Sequence, residues 1–230
     1  MADDDLALLR ANTAQGKTAL IVIDIQNDFC AQGGYFDRTG ADLSLVEPAV
    51  DNLCALVDEA RTAGVMPIFV RSHYDEIYLS ETQNARRRRV GWKMPLCVQG
   101  TWGAEFYRIA PAENEAIVTK HRYDAFFNTD LELILRSNNI RNIVFAGVAT
   151  NVCVESAIRS AFFRDFEVVV VRDCCAARNV KAHEATLDNV RQHFGIVATL
   201  ASIRQAWRGR AAPTGLPPGG ADQYATEDRP

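Results

Sequence analysis

Short, apolar, β-branched runs alternate along this chain with longer stretches whose apolar residues recur at helical spacing. Six runs predict strands: Thr18 to Ile23, Met66 to Val70, Ala116 to Thr119, Asn142 to Ala146, Glu167 to Val171 and Ile196 to Thr199. Most are apolar throughout, as strands covered on both faces are, and the alternation marks βαβ units around a buried parallel sheet. Pro48 stands where a helix would begin and Gly64 where it would end, with Val50, Leu53, Val57 and Ala60 on one face between them. Asn128, Thr129 and Asp130 offer caps for a helix through Arg136, and Asn151 offers one for a helix from about Cys153 to Phe163. Lys181 to His193 reads as a further helix. The expected fold class is α/β, a three-layer αβα arrangement of a mostly parallel six-stranded sheet with helices on both faces and right-handed crossovers.

Two regions break the alternation. Residues 72–114 carry aromatics and arginines but few periodic apolar positions, a length that in a compact domain marks a functional loop or lid. From about Arg208 onward Pro, Gly and Ala dominate, so a single domain over residues 1–207 is expected, followed over 208–230 by a flexible tail or an arm laid on a neighbouring subunit.

Composition narrows the function. The 230 residues are 48% apolar and 23% charged, enough for one full core. A net charge of −4 lacks the basic surplus that phosphate contacts need, which argues against nucleic acid or an anionic membrane and for a small-molecule partner. No apolar stretch approaches the roughly 18 to 20 residues of a spanning helix. The start, Met-Ala-Asp-Asp-Asp, is the opposite of a basic signal-peptide start, so a cytoplasmic location is expected. The cysteines at 30, 54, 97, 153, 174 and 175 are too sparse for a disulfide scaffold and form no CxxC pair, so each is read as a free thiol. No GxGxxG or GxxxxGK[ST] follows a strand, which leaves nucleotide phosphates without a cradle.

In an open α/β sheet the reactive groups gather at the carboxyl ends of the strands. Asp24 ends the first strand, where partial desolvation would make its carboxylate a proton acceptor and a loop cap is the plain alternative. Lys120 ends the third and is either a surface charge or a catalytic cation. Cys153 opens a helix after Gly-Val-Ala-Thr-Asn-Val, where the helix dipole and unpaired N–H groups favour thiolate and could cradle an oxyanion, unless the thiol is merely buried.

Leu-Ile-Val-Ile-Asp-Ile-Gln-Asn-Asp-Phe at 20–29, Thr-Lys-His-Arg-Tyr-Asp-Ala-Phe-Phe-Asn-Thr-Asp-Leu at 119–131 and Gly-Val-Ala-Thr-Asn-Val-Cys-Val-Glu-Ser at 147–156 together resemble the isochorismatase-like cysteine hydrolase superfamily, over roughly residues 15–205. The resemblance implies a Rossmann-like sheet, a catalytic triad of Asp24, Lys120 and Cys153, and a cis peptide at Val148-Ala149 that turns the Ala149 N–H inward beside that of Cys153 as an oxyanion hole. It implies attack by Cys153 on an amide or ureido carbonyl, with Asp24 shuttling the proton and no cofactor. Nicotinamidases of the superfamily bind a metal through an Asp-x-His pattern and a further histidine, whereas residues 71–76 read Arg-Ser-His-Tyr-Asp-Glu, so no metal is expected. True isochorismatases lack the nucleophilic cysteine.

Among the cysteine branches the strings are most similar to ureidoacrylate amidohydrolases, and also to biuret hydrolases. The expected reaction is cleavage of the C–N bond of a small linear ureide or amide, of ureidoacrylate, biuret or triuret type, through a thioester. The alternatives are a carbamoyl or aromatic amide hydrolase of N-carbamoylsarcosine or nicotinamide type, or a non-catalytic binding member of the fold. Tyr74 and Ser80 depart from the tryptophan and glutamate usual in the ureidoacrylate branch. Candidates for the substrate wall are Phe29, Tyr35, Ser72, His73, Tyr74, Tyr123, Phe127 and Asn128, with Gln192 near the place of a substrate-contacting glutamine in biuret hydrolases. Arg86 to Arg89 form the one basic run, read as a solvated turn or an intersubunit contact rather than as an anion site. His121 and His183 carry no assignment. A homo-oligomer, dimer or tetramer, is expected from the resemblance.

Overall fold

The first strand, β1 (Thr18–Ile23), is buried along its whole length. The computed structural model, which describes residues 3–92 and 95–208, pairs it in parallel with β2 (Met66–Ser72) on one side and β4 (Asn142–Val148) on the other. Outside these lie β3 (Ala116–Lys120), β5 (Glu167–Ala176) and β6 (Ile196–Ala198), giving the order β3-β2-β1-β4-β5-β6 with every pairing parallel. The six expected strands are all present. Several run past their expected ends, β5 furthest, because a register shift between Phe145 and Gly147 lets it pair again as far as Ala176. Thr199 leaves the sheet to cap a helix.

Alternate residues of β1 divide the core. Leu20 and Val22 pack with α1 (Asp3–Ala11), α4 (Val46–Thr62) and α9 (Leu200–Trp207), while Ala19, Ile21 and Ile23 face α6 (Leu131–Ser137), α7 (Glu155–Phe162) and α8 (Val180–Asn189). This is the period-2 alternation of a strand covered on both faces. Helix α4 presents Val50, Leu53, Val57 and Ala60 to the core as their spacing predicts.

The structure corrects several local readings. Asn151 caps nothing: it lies inside a π-helical turn, Thr150–Val154, that leads straight into α7. The helix expected from Lys181 begins at Val180, is capped by the Asn179 side chain on the N–H groups of Lys181 (2.8 Å) and Ala182 (3.3 Å), and passes into a second π-helical turn, Val190–Phe194. Two four-residue helices, α2 (Asn27–Cys30) and α3 (Tyr35–Arg38), follow β1. The region expected to be a loop or lid holds α5 (Glu81–Val90), closed by a reciprocal Ser80–Gln83 capping box and by Gly91 in the left-handed conformation. The arginine run is therefore helical. Of the expected tail, residues 209–230 lie outside the described residues.

Candidate active site

β1 lies between β2 and β4, where the connections leave in opposite directions and the strand ends open a crevice. The chain leaves β1 at Asp24 with φ of 55°, a left-handed conformation that aspartate adopts more readily than most residues. The Asp24 N–H stays on the Val70 carbonyl at 2.9 Å, so the turn remains fastened to β2. Gln26 clamps the same strand end, accepting from the Ser72 N–H at 2.7 Å and donating to the carbonyls of Ser72 (3.0 Å) and Ala104 (2.8 Å). Asp28 accepts from the N–H groups of Tyr35 (3.0 Å) and Cys97 (2.7 Å). The Asp-Ile-Gln-Asn-Asp-Phe stretch thus delivers one carboxylate to the crevice and uses its other polar side chains to hold loops around it.

Lys120, at the end of β3, is fully buried. Its ammonium lies 2.8 Å from Asp24 Oδ2, donates to Ser72 Oγ at 2.8 Å and to the Arg122 carbonyl at 3.2 Å, and reaches Cys153 Sγ at 3.4 Å. Ser72 Oγ in turn donates to Asp24 Oδ1 at 3.0 Å and has Tyr74 Oη at 3.3 Å. Carboxylate and thiol therefore meet at the Lys120 ammonium, and the Ser72 hydroxyl braces the carboxylate against it. Burial alone would pull the lysine down, but the Asp24 carboxylate, helped by Cys153 and Tyr74, holds it charged above the usual lysine range.

The sequence led us to expect a helix dipole that favours thiolate at Cys153, and here the structure differs. Burial pushes the thiol up to about 12, with Lys120 opposing and the Asp24 charge adding to the rise. A π-helical turn stands where a regular first helical turn was expected. The resting sulfur is a neutral thiol beside a carboxylate that can accept its proton. The Val148–Ala149 peptide is cis, and both residues line the cavity with Cys153.

That cavity measures about 330 Å³, at the small end of ligand sites. Asp24 and Cys153 lie in its wall with three of the aromatics named from sequence, Phe29, Tyr74 and Tyr123. The other six candidates are elsewhere. Tyr35 is buried and packs against Phe36 and Trp92, ring centroids 6.4 and 5.8 Å away, which themselves line the cavity. Ser72 is fully buried, in contact with Asp24 and Lys120 and not with the cavity. His73 lines a separate hollow with Arg71 and Gln99, its carbonyl accepting from His121 Nδ1 at 2.7 Å. Phe127 and Asn128 are exposed, because the chain turns away after Phe126 with Asn128 left-handed at φ 53°. Gln192 is exposed on the second π-helical turn.

Sequence reasoning missed Phe36, Trp92, Arg86, Arg178, Asn151 and Asn179, all of which line the cavity. The signals for α5 were present in Ser80-x-x-Gln83 and Gly91, and would have put Arg86 on a helix beside the crevice. Among the described residues no group of three or more His, Cys, Asp or Glu side chains is arranged to hold a metal ion, and no helix is long and apolar enough to cross a membrane.

The sequence matches the Isochorismatase domain over residues 18–202. The chain belongs to the isochorismatase family. It is 36% identical over 207 residues to a ureidoacrylate amidohydrolase of Klebsiella pneumoniae, covering 84% of this chain and 88% of that one. It is 36% identical over 204 residues to a ureidoacrylate amidohydrolase of Acinetobacter baylyi, covering 83% of each. A crystallised cysteine hydrolase of Pseudomonas syringae superposes with a TM-score of 0.72 at 26% identity, covering 84% of this chain and 92% of that one. Fold class and family agree with the expectations from sequence, and the reaction class agrees with the names of these isochorismatase-family relatives.

Proposed function

We propose that the protein is a cysteine amidohydrolase that cleaves the C–N bond of a small linear ureide or amide, of ureidoacrylate, biuret or triuret type, through a thioester. The observation that carries this reading is the Lys120 ammonium, which touches Asp24 at 2.8 Å and Cys153 at 3.4 Å in the wall of a small cavity. Asp24 takes the Cys153 proton as sulfur attacks the substrate carbonyl, and Lys120 keeps carboxylate and sulfur in register while charge moves between them. The oxyanion forms against the N–H groups of Ala149 and Cys153. Collapse breaks the C–N bond, Asp24 returns its proton to the leaving nitrogen, and a water deprotonated by the same carboxylate then attacks the thioester. This releases the acid and restores the thiol. These steps consume no redox equivalent and use only groups of this chain and water.

The same reading has the protein as a homo-oligomer working in the cytoplasm. Free thiols at all six cysteines suit a reducing compartment. Phe163, 71% exposed beside Phe162 and its edge-on neighbour Phe194, offers apolar surface for self-association.

Ammonia release from ureidoacrylate, biuret, triuret, N-carbamoyl amino acids and nicotinamide, measured for the wild type and Cys153→Ala, tests the reaction. Turnover of one linear ureide that vanishes in the variant, with a thioester adduct trapped by acid quench and seen by mass spectrometry, is the expected result. Silence across the panel in folded protein would overturn it in favour of a binding protein. Turnover of nicotinamide alone would move it to the aromatic amides.

A further inference from the structure

Several arginines on the outer faces of this protein pair with carboxylates, as Arg61 does with Glu115 at 2.8 Å and Arg164 with Glu132 at 2.9 Å. Arg86 and Arg178 do not: neither has an ion-pair or hydrogen-bond partner among the described residues, yet both line the cavity that holds Cys153. Their guanidinium groups rest on aromatic faces instead. Arg86 lies 5.2 Å from the Trp92 ring centroid and 5.6 Å from that of Tyr123, and Arg178 lies 5.1 Å from that of Phe36.

These supports form one row. Trp92 packs edge-on to Tyr35 at 5.8 Å, Tyr35 meets Phe36 at 6.4 Å, and Phe36 meets Phe29 at 5.2 Å. Arginine therefore sits at two places along a single aromatic row, over Trp92 and over Phe36. The aromatic rings hold each guanidinium without using its N–H groups, which are left to a ligand oxygen. The charge balance agrees. Asp24 is the one carboxylate among the described lining residues, and the fully buried Lys120 neutralises it, so the cavity keeps the two arginine charges in excess.

We propose that Arg86 and Arg178 select an anionic substrate, a small amide or ureide bearing a carboxylate on the side away from the scissile carbonyl. The inference rests on the amidohydrolase reading and divides its substrates. Carboxylates such as ureido acids fit an unpaired guanidinium edge, whereas neutral biuret and triuret would leave both charges without a counter-ion.

The test separates binding from turnover. Cys153→Ala protein is titrated, following tryptophan fluorescence and heat, with 3-ureidoacrylate and 3-ureidoacrylamide, and with N-carbamoyl-β-alanine and its amide, each pair differing by one charge. The acid of at least one pair is expected to bind about tenfold or more tighter than its amide, with the advantage shrinking as salt rises. Arg86→Gln and Arg178→Gln, checked for folding by circular dichroism, are each expected to weaken the acid by about 10- to 100-fold and leave the amide nearly unchanged. Lysine at either position should recover part of the loss. In the wild-type background the same glutamine substitutions should raise KM for the acid far more than they lower kcat. Equal binding of acid and amide, or glutamine variants that weaken both alike, would overturn the selection. Wild-type turnover of each compound reports separately on the hydrolase reading, so tight acid binding without turnover would leave the anion site standing and remove the enzyme.

Discussion

Lys120 and Asp24 form an ion pair at 2.8 Å with both side chains sealed from water, 0% and 1% exposed. Removing one partner of such a pair leaves an uncompensated charge in the interior, which costs roughly 3–5 kcal/mol, whereas replacing both by neutral groups is far milder. Lys120→Met is therefore expected to lower stability by about that amount, and the double variant Asp24→Asn with Lys120→Met to recover most of it. Turnover should fall at least about 100-fold in every one of these variants, since each removes a group from the proton path. Chemical denaturation alongside ammonia release checks both halves. Recovery of activity in the double variant would show that the pair serves stability alone.

The Cys153 thiol is pushed up to about 12 by burial, with Lys120 opposing and Asp24 reinforcing the rise. At pH 7 the sulfur should be protonated, so alkylation by iodoacetamide should be slow and should climb with pH without levelling off below about pH 10. Asp24→Asn removes one of the raising influences, so the thiol should titrate lower and alkylate faster at neutral pH even as turnover collapses. Mass-spectrometric rates for Cys153 across pH, with Cys153→Ala as the blank, decide it. A plateau below pH 7 in the wild type would mean a resting thiolate and a different order of proton transfer.

Much of this was legible in the chain. Runs such as Thr18 to Ile23 are apolar on both faces, so burial and strand are one signal, and Asp24 stands out because it is the first polar side chain after such a run. Lys120 at the end of β3 and Cys153 beyond β4 stood out as reactive types near strand ends, and the family resemblance is what joined them to Asp24. The wall was less so. Phe127 and Asn128 follow Tyr123 closely in sequence, but a left-handed turn carries them to the surface. Arg86 comes from a helix that buries no residue of its own, and Trp92 from just beyond its Gly91 cap, so no apolar period announced either. Contacts made across the fold, such as that between Arg178 and Phe36, have no local pattern at all.

Gly147 brings β4 against β1 two residues before the Ala149 peptide. Its φ is 133°, and a Cβ there would fall on the Ile23 carbonyl oxygen. Neither strand can step aside, because β1 is buried and paired on both sides. Gly147→Ala is expected to cost about 2–4 kcal/mol from overlap and an unfavourable dihedral together. Urea unfolding at constant slope measures it. A loss below about 0.5 kcal/mol would mean that the two strands separate more easily than their pairing suggests.

Thr150 opens the turn that carries Cys153, and its Oγ1 lies 2.9 Å from His183 Nδ1. Burial lowers the His183 pKa below the usual histidine range, with Glu184 opposing and Arg172 adding to the fall. The imidazole is therefore neutral at pH 7, where Nδ1 can accept the threonine proton. Protons bind the unfolded chain before they bind this site, so stability contributed here is present above the ordinary histidine pKa of about 6.5 and is lost as pH falls through and below it. The slope cannot exceed about 1.4 kcal/mol per pH unit for one group. His183→Gln, which cannot titrate, is expected to flatten the stability profile between pH 7 and pH 5 relative to wild type. The variant should also lower kcat several-fold while leaving KM nearly fixed, because Thr150 positions the nucleophile's turn and does not itself line the cavity. Superimposable pH profiles for the two proteins would show that His183 reports on its surroundings without steadying the catalytic loop.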